Sequence, residues 1–200
     1  FQSINISKID YSVNLSASLM YLMLKQQDAV GLALFDEKIN KLIPPRAVPS
    51  HLNILLSHME SAEPGAQTNI SKALHHSAEG INKRGLVIVI SDLMDDVHST
   101  INGLRHLRHK GHEVIVFHVL DQDEVSFDFN QRIKFIDKET GEQITTDPAQ
   151  IKQDYIAHFK NHCDELKNGC RHNRIEYIPL LSNQSLDTAL SELLLKRKNY

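Results

Sequence analysis

Two clusters of carboxylates, each directly after an apolar segment, are the residues of this chain whose type and position could do chemistry. They are Asp92, Asp95 and Asp96, after residues 87–90, and Asp121, Asp123 and Glu124, after residues 114–120. Carboxylate and hydroxyl oxygens are the ligands that Mg²⁺ prefers in proteins. A bound metal ion could serve either a binding site or a metal-dependent hydrolase or phosphotransferase. The enzyme would use Asp92, Asp121 and Asp123, but no convincing general base or nucleophile accompanies them.

The segments that precede these carboxylates are predicted to be buried parallel strands. Residues 87–90 are a continuous apolar run and residues 114–120 are predominantly apolar, which is typical of strands covered on both faces. The carboxyl ends of parallel strands meet at one edge of an open α/β sheet, where ligands bind. We therefore expect both clusters at one edge, beside a helix that begins near Thr68. The alternative is that Ser91 and Asp92 only cap the next helix.

The periodicity of the rest of the chain predicts an alternating α/β fold with a mostly parallel sheet. Helices are predicted at residues 6–25, 51–59, 69–84, 97–110, 148–170 and 185–198. Further strands are predicted at residues 29–35, 41–43 and 175–181, with a hairpin from 133–137 and 143–145. Gly111 is expected to end the helix before it.

The composition limits the classes of function. A net charge of −3 and an isoelectric point near 6.5 provide no broad positive field, which argues against nucleic acid as a partner. Cys163 and Cys170 form no disulfide framework, so a cytoplasmic location is expected. His158 and His162 have the spacing of two zinc ligands on one helix face. Because no further ligand pair accompanies them, we interpret them as solvated histidines.

An ordered series of segments resembles one large family of bacterial proteins. The segments are residues 11–13, 26–32, 35–36, 43–46, 68–74, 89–93, 111–114, 118–121 and 135–141. This family carries a von Willebrand factor A-like domain at its carboxyl terminus, and its members are often encoded beside MoxR-type AAA+ ATPases. The resemblance covers nearly the whole chain. It implies a Rossmann-like, von Willebrand factor A-like three-layer sandwich, with residues 1–200 as a single domain and a hairpin insertion at about 131–146.

The resemblance also implies a metal-ion-dependent adhesion site for Mg²⁺ or Mn²⁺. Thr68 and Asp92 match two ligand positions of that site, and Asp95 and Asp96 could tune its charge. The Asp-x-Ser-x-Ser motif of the family has no counterpart, because residues 4–7 run directly into the first helix. In the family this motif follows a central strand between those expected here at 29–35 and 87–90. We therefore expect that strand upstream of Phe1, and expect a chain that begins at Phe1 to be N-terminally truncated, poorly stable or self-associating.

These observations predict a non-enzymatic module that binds a protein partner. The resemblance implies that the bound cation accepts an acidic side chain of the partner, and that this partner is a MoxR-type AAA+ ATPase. No segment has the length and apolarity of a membrane span. Two alternatives remain at this point: the metal-dependent hydrolase or phosphotransferase, and a metal-free scaffold in which Asp92 caps a helix.

Overall fold

A computed structural model describes residues 6–36, 39–62, 69–129, 133–136, 143–146, 148–187 and 190. Its helices are α1 (Lys8–Lys25), α2 (His51–Glu60), α3 (Ile70–Gly80), α4 (Val97–His109), α5 (Gln122–Ser126) and α6 (Pro148–His172). Its strands are β1 (Val30–Phe35), β2 (Ile39–Arg46), β3 (Leu86–Ser91), β4 (Glu113–Leu120), β5 (Ile133–Ile136), β6 (Gln143–Thr146) and β7 (Glu176–Leu181). Helices and strands alternate through most of the chain, so the mixed α/β class is as predicted.

Three parallel strands, in the order β3-β4-β7, form the sheet that positions the candidate site. In the register, Ser91 of β3 is paired with His118 of β4, and Leu120 of β4 is paired with Leu181 of β7. The carboxyl ends of the strands therefore lie side by side. The parallel arrangement predicted from the apolar runs is confirmed.

Helices cover both faces of this sheet. Val114 and Val116 pack into one core with α3, α4 and α6, while Ile115, Phe117 and Val119 pack into a second core with α1. Successive side chains of a strand point to opposite faces. Strand β4 is therefore buried on both sides from Val114 to Leu120, which explains why its sequence shows no polar alternation.

Strands β1 and β2 form a separate antiparallel sheet, which packs with α2 and the end of α1. Strand β2 was expected to stop before Pro44 and Pro45, but it continues through both prolines to Arg46. An edge strand tolerates a proline whose missing N–H faces away from the pairing partner, and the shift in register between Val30 and Leu32 accommodates the second proline. The core of this unit consists of Met20, Leu24, Val30, Ile43, Leu55 and Met59.

Among the residues that the structure describes, β1 and β3 each have a hydrogen-bonded strand on one side only. Phe35 of β1 packs against the core cluster that also contains Val89 of β3. The carbonyl of Asp36 also accepts a hydrogen bond from the Asn69 N–H (3.2 Å). The further strand expected between β1 and β3 remains a prediction.

Several element boundaries differ from those predicted. Helix α3 is capped by Asn69 but ends at Gly80 rather than near residue 84, because Ile81 adopts an extended backbone. The short helix α5 was not predicted. Strands β5 and β6 pair as a hairpin, as predicted, whereas the turn at 138–142 and most of the helix expected at 185–198 lie outside the described residues.

Gly111 follows the last residues of α4 and has a φ of 90°. This positive φ is what its predicted role at the end of the helix requires. A Cβ at this position would lie 2.8 Å from Nε of Arg84. We expect Gly111→Ala to lower the free energy of unfolding by about 1 kcal/mol, because an L-residue is strained in this backbone region. Denaturant unfolding measures the change. Gly85→Ala is the control, since a Cβ there meets no atom within 4 Å, and an equal loss in both variants would contradict the prediction.

Candidate functional site

The five residues 92–96 form the connection from β3 to α4, which we call the carboxylate loop. The loop turns sharply at Leu93, a buried residue with a left-handed φ of 49°. The Leu93 N–H donates to Oγ of Ser91 (3.2 Å). The side chain of Leu93 packs in the core, and this packing holds the loop at the carboxyl edge of the sheet.

Two histidines from other elements hold the backbone of this loop. Nε2 of His118, in β4, lies 2.8 Å from the carbonyl oxygen of Asp92. Nε2 of His162, in α6, lies 2.9 Å from the carbonyl oxygen of Leu93. A carbonyl oxygen can only accept, so both Nε2 atoms carry the proton. The loop is therefore fixed by side chains 26 and 69 residues away in the sequence.

The protonation state of His118 follows from its burial. Burial lowers the pKa of His118 to about 4, against the hydrogen bond to Asp92, which raises it. The ring is therefore neutral at pH 7, and since Nε2 bears its proton, Nδ1 accepts. Its donor is the hydroxyl of Tyr177 in β7 (2.5 Å), whose pKa burial raises. This chain of hydrogen bonds connects the carboxylate loop to β4 and β7.

Lys8, the first residue of α1, bridges the carboxylates of Asp92 and Glu124. Its Nζ lies 3.0 Å from Oδ2 of Asp92 and 2.6 Å from Oε1 of Glu124. We call these three residues the Lys8 bridge. The side chain of Glu124 is 2% exposed and that of Lys8 is 14% exposed. Burial lowers the pKa of Lys8, but the two carboxylates raise it more, so its pKa lies above its ordinary value and the ammonium stays charged.

Three other carboxylates that the sequence offered as site residues cap helices instead. The pairs are Asp95 Oδ2 with the N–H of Ile70 (2.6 Å), Asp96 Oδ1 with the N–H of Ser99 (2.8 Å) and Asp121 Oδ1 with the N–H of Asp123 (2.8 Å). Asp92 has a different role. The N-cap of α4 is Asp96, so the alternative that Asp92 caps this helix is wrong.

Of the two residues predicted to bind a metal ion, the structure describes one. Asp92 lies at the carboxyl edge as expected, whereas Thr68 lies outside the described residues. Within the described ranges, no group of three or more His, Cys, Asp or Glu side chains is placed to hold a metal ion. Oδ2 of Asp92 contacts an ammonium instead. The described residues therefore do not form a set of ligands that fits Mg²⁺ or Mn²⁺.

Sequence reasoning did not find Lys8 and His118, although each left a signal. Lys8 precedes the buried Tyr11 and Leu15 by three and seven residues, which places it on the buried face of α1. His118 is the polar residue within the apolar run 114–120. His162 was interpreted as solvated, but it is half-buried and its Nε2 donates to the Leu93 carbonyl of the carboxylate loop.

Three exposed apolar residues lie next to the residues of the Lys8 bridge in the sequence. Ile9 follows Lys8 and is 55% exposed, Met94 follows Asp92 by two residues and is 48% exposed, and Val125 follows Glu124 and is 37% exposed. We call these three residues the apolar rim. Both carboxylates of the bridge lie within 3.0 Å of one nitrogen atom, so their sequence neighbours are held in the same region. A single exposed apolar residue is ordinary, whereas a contiguous exposed apolar patch is typical of an interaction site.

Comparisons with known proteins give a family and a fold. Residues 1–165 match the model of the family described as "Protein of unknown function DUF58". No curated protein matches this chain. In the described residues, no helix combines the length and apolarity that crossing a membrane requires.

Two solved structures are similar in fold to this chain. The conserved hypothetical protein BatB from Bacteroides thetaiotaomicron has a TM-score of 0.58. An aerotolerance-related membrane protein from Bacteroides fragilis NCTC 9343, with multiple mutations to serines, has a TM-score of 0.60. In both, the identity is 16%, and the alignment covers 94% of this chain and 89% of the other. At this identity the likeness shows the fold alone.

Proposed function

The chain belongs to the DUF58 family, and we propose that it is a non-enzymatic domain that binds a protein partner at the carboxyl edge of its parallel sheet. The observation that carries this proposal is the apolar rim, whose three exposed residues lie next to the Lys8 bridge in the sequence. An interface of this composition combines apolar contact area with charges in fixed positions that select the partner.

The rigidity of the edge supports the same proposal. His118, His162 and Ser91 already hold the carboxylate loop in one conformation. A partner that docks here does not have to order the loop, so less binding free energy is lost to conformational entropy. Met94 adds an adaptable apolar contact, because its unbranched side chain can fit surfaces of different shape.

The bonding of the carboxylates favours recognition over catalysis. Asp121 is buried and caps α5, and Asp92 is ion-paired with Lys8. A hydrolase or phosphotransferase would need these carboxylates to hold a metal ion or to accept a proton. The proposal therefore assigns no chemical step to this edge.

We also propose that the fold is a Rossmann-like, von Willebrand factor A-like three-layer sandwich, and that the partner is a MoxR-type AAA+ ATPase in the cytoplasm. The helices on both faces of the parallel sheet support the three-layer architecture. The partner rests on the family resemblance of the sequence, and no residue contact identifies it.

We expect Met94→Glu to weaken binding to the ATPase at least tenfold, because a charge would replace an apolar contact of the interface. Isothermal titration calorimetry with the two purified proteins measures the dissociation constants. Ile54→Glu is the matched control, since Ile54 is 47% exposed and lies on α2, the helix that packs with β1 and β2. If the wild-type chain did not bind the ATPase, or if both variants bound like wild type, the proposal would be overturned.

A further inference from the structure

We propose that Lys8 is a built-in cation, which occupies the position at the carboxyl edge where a divalent metal ion was expected. Its ammonium contacts Asp92, the residue that matches a ligand of the metal-ion-dependent site, and Glu124 of α5, the helix that follows the neighbouring strand β4. The inference concerns the cation alone, and it does not depend on which protein docks at the edge.

The burial of Glu124 is the first argument for this role. A carboxylate that is 2% exposed has lost most of its hydration, so it requires a cation or several hydrogen-bond donors. Oε1 of Glu124 meets Nζ of Lys8 at 2.6 Å, and Oε2 accepts from the Asp121 N–H at 3.0 Å. Both oxygens are therefore satisfied by groups of the chain itself.

The position of Lys8 on α1 is the second argument. Ser7 caps this helix by accepting a hydrogen bond from the Asp10 N–H (3.1 Å), and Tyr11 and Leu15 are buried in the core of the sheet. Lys8 is therefore held at the edge by the packing of its own helix. A free Mg²⁺ ion would have to displace this tethered ammonium and also give up water ligands, which Mg²⁺ does reluctantly.

The distances in the Lys8 bridge predict what its removal would create. Oδ2 of Asp92 and Oε1 of Glu124 both lie within 3.0 Å of the same nitrogen atom. Without the ammonium, the two carboxylate oxygens would face the position that Nζ of Lys8 occupies. Small movements would bring both oxygens to the distances at which carboxylates coordinate a metal ion. We therefore infer that the wild-type edge takes up no divalent cation, and that a chain without Lys8 does.

Thermal unfolding with Mn²⁺ as the probe tests this inference. A ligand that binds only the folded state raises the melting temperature. We expect millimolar Mn²⁺, compared with EDTA, to leave the melting temperatures of wild type and Lys25→Ala unchanged and to raise that of Lys8→Ala by roughly 5 °C. The gain should disappear in Lys8→Ala/Asp92→Asn. Lys25 is the matched control because it is an exposed lysine at the other end of α1.

Two results would overturn the inference. In the first, Mn²⁺ stabilises the wild-type chain and Asp92→Asn abolishes this effect, which would mean that the metal ion displaces Lys8. In the second, Lys8→Ala gains no stability from Mn²⁺. If Lys8→Ala is unfolded in EDTA, its far-ultraviolet circular dichroism is followed during the Mn²⁺ titration. Recovery of helical signal then supports the inference, and its absence overturns it.

Discussion

Lys8→Met is expected to lower the free energy of unfolding by about 3 kcal/mol, because it leaves a buried carboxylate without its cation. The carboxylate is that of Glu124, which has little contact with water in the folded chain. The half-exposed Asp92 can recover water and contributes less to the loss. Urea unfolding of wild type and variant at neutral pH measures the difference between their free energies of unfolding.

Two further variants separate the ionic contribution from loss of packing. Lys25→Met removes an exposed lysine of the same helix and should change stability by less than about 0.5 kcal/mol. Adding Glu124→Gln to Lys8→Met should restore about 2 kcal/mol, because the uncompensated charge is gone. If Lys8→Met lost no more stability than Lys25→Met, the Lys8 bridge would not be a buried ionic contact.

Lowering the pH from neutral to about 4 is expected to reduce the free energy of unfolding by about 3 kcal/mol through the protonation of His118 alone. In the folded chain, burial lowers its pKa to about 4 from an ordinary value of 6.5. Between these two values the unfolded chain binds a proton that the folded chain does not. The stabilising contribution of neutral His118 is therefore complete above pH 6.5 and is lost as the pH falls to about 4.

His118→Gln isolates this contribution, because a glutamine amide can still donate to the Asp92 carbonyl but cannot titrate. Other groups, including the many carboxylates, titrate in both proteins and cancel in the difference between their free energies of unfolding. That difference should shift by about 3 kcal/mol against wild type between neutral pH and pH 4. Parallel pH profiles for the two proteins would mean that His118 is not buried in its neutral form.

The parts of the fold that could be predicted are those in which local pattern and tertiary burial agree. The apolar run 114–120 is buried on both faces, as its composition indicated, and Gly111 has the positive φ that its place after a helix required. Strand β2 differs because Pro44 and Pro45 predict a break, while an edge position together with the shifted register opposite them tolerates both. Helix α5 is only five residues long, which is too short for a helical spacing of apolar residues to be recognised.

The site could be predicted only in part, because its contacts join distant segments. The sequence placed Asp92 at the carboxyl edge, but the partners of Lys8 in the bridge are 84 and 116 residues away. The hydrogen bond between His118 and Tyr177 spans 59 residues. No local pattern specifies such pairs. The caps that Asp96 and Asp121 form are local by contrast, because each carboxylate accepts from an N–H two or three residues along the chain. The sequence offered a cap at Asp92 instead, and the structure has it at Asp96.

Amide hydrogen exchange of the chain with and without the purified MoxR-type ATPase tests the central claim most directly. We predict slower exchange in the carboxylate loop and in α5, with little change in α2 and β2. This pattern would identify the carboxyl edge, with its apolar rim and Lys8 bridge, as the surface that binds the partner. Protection confined to α2 and β2, or no protection anywhere, would contradict the account.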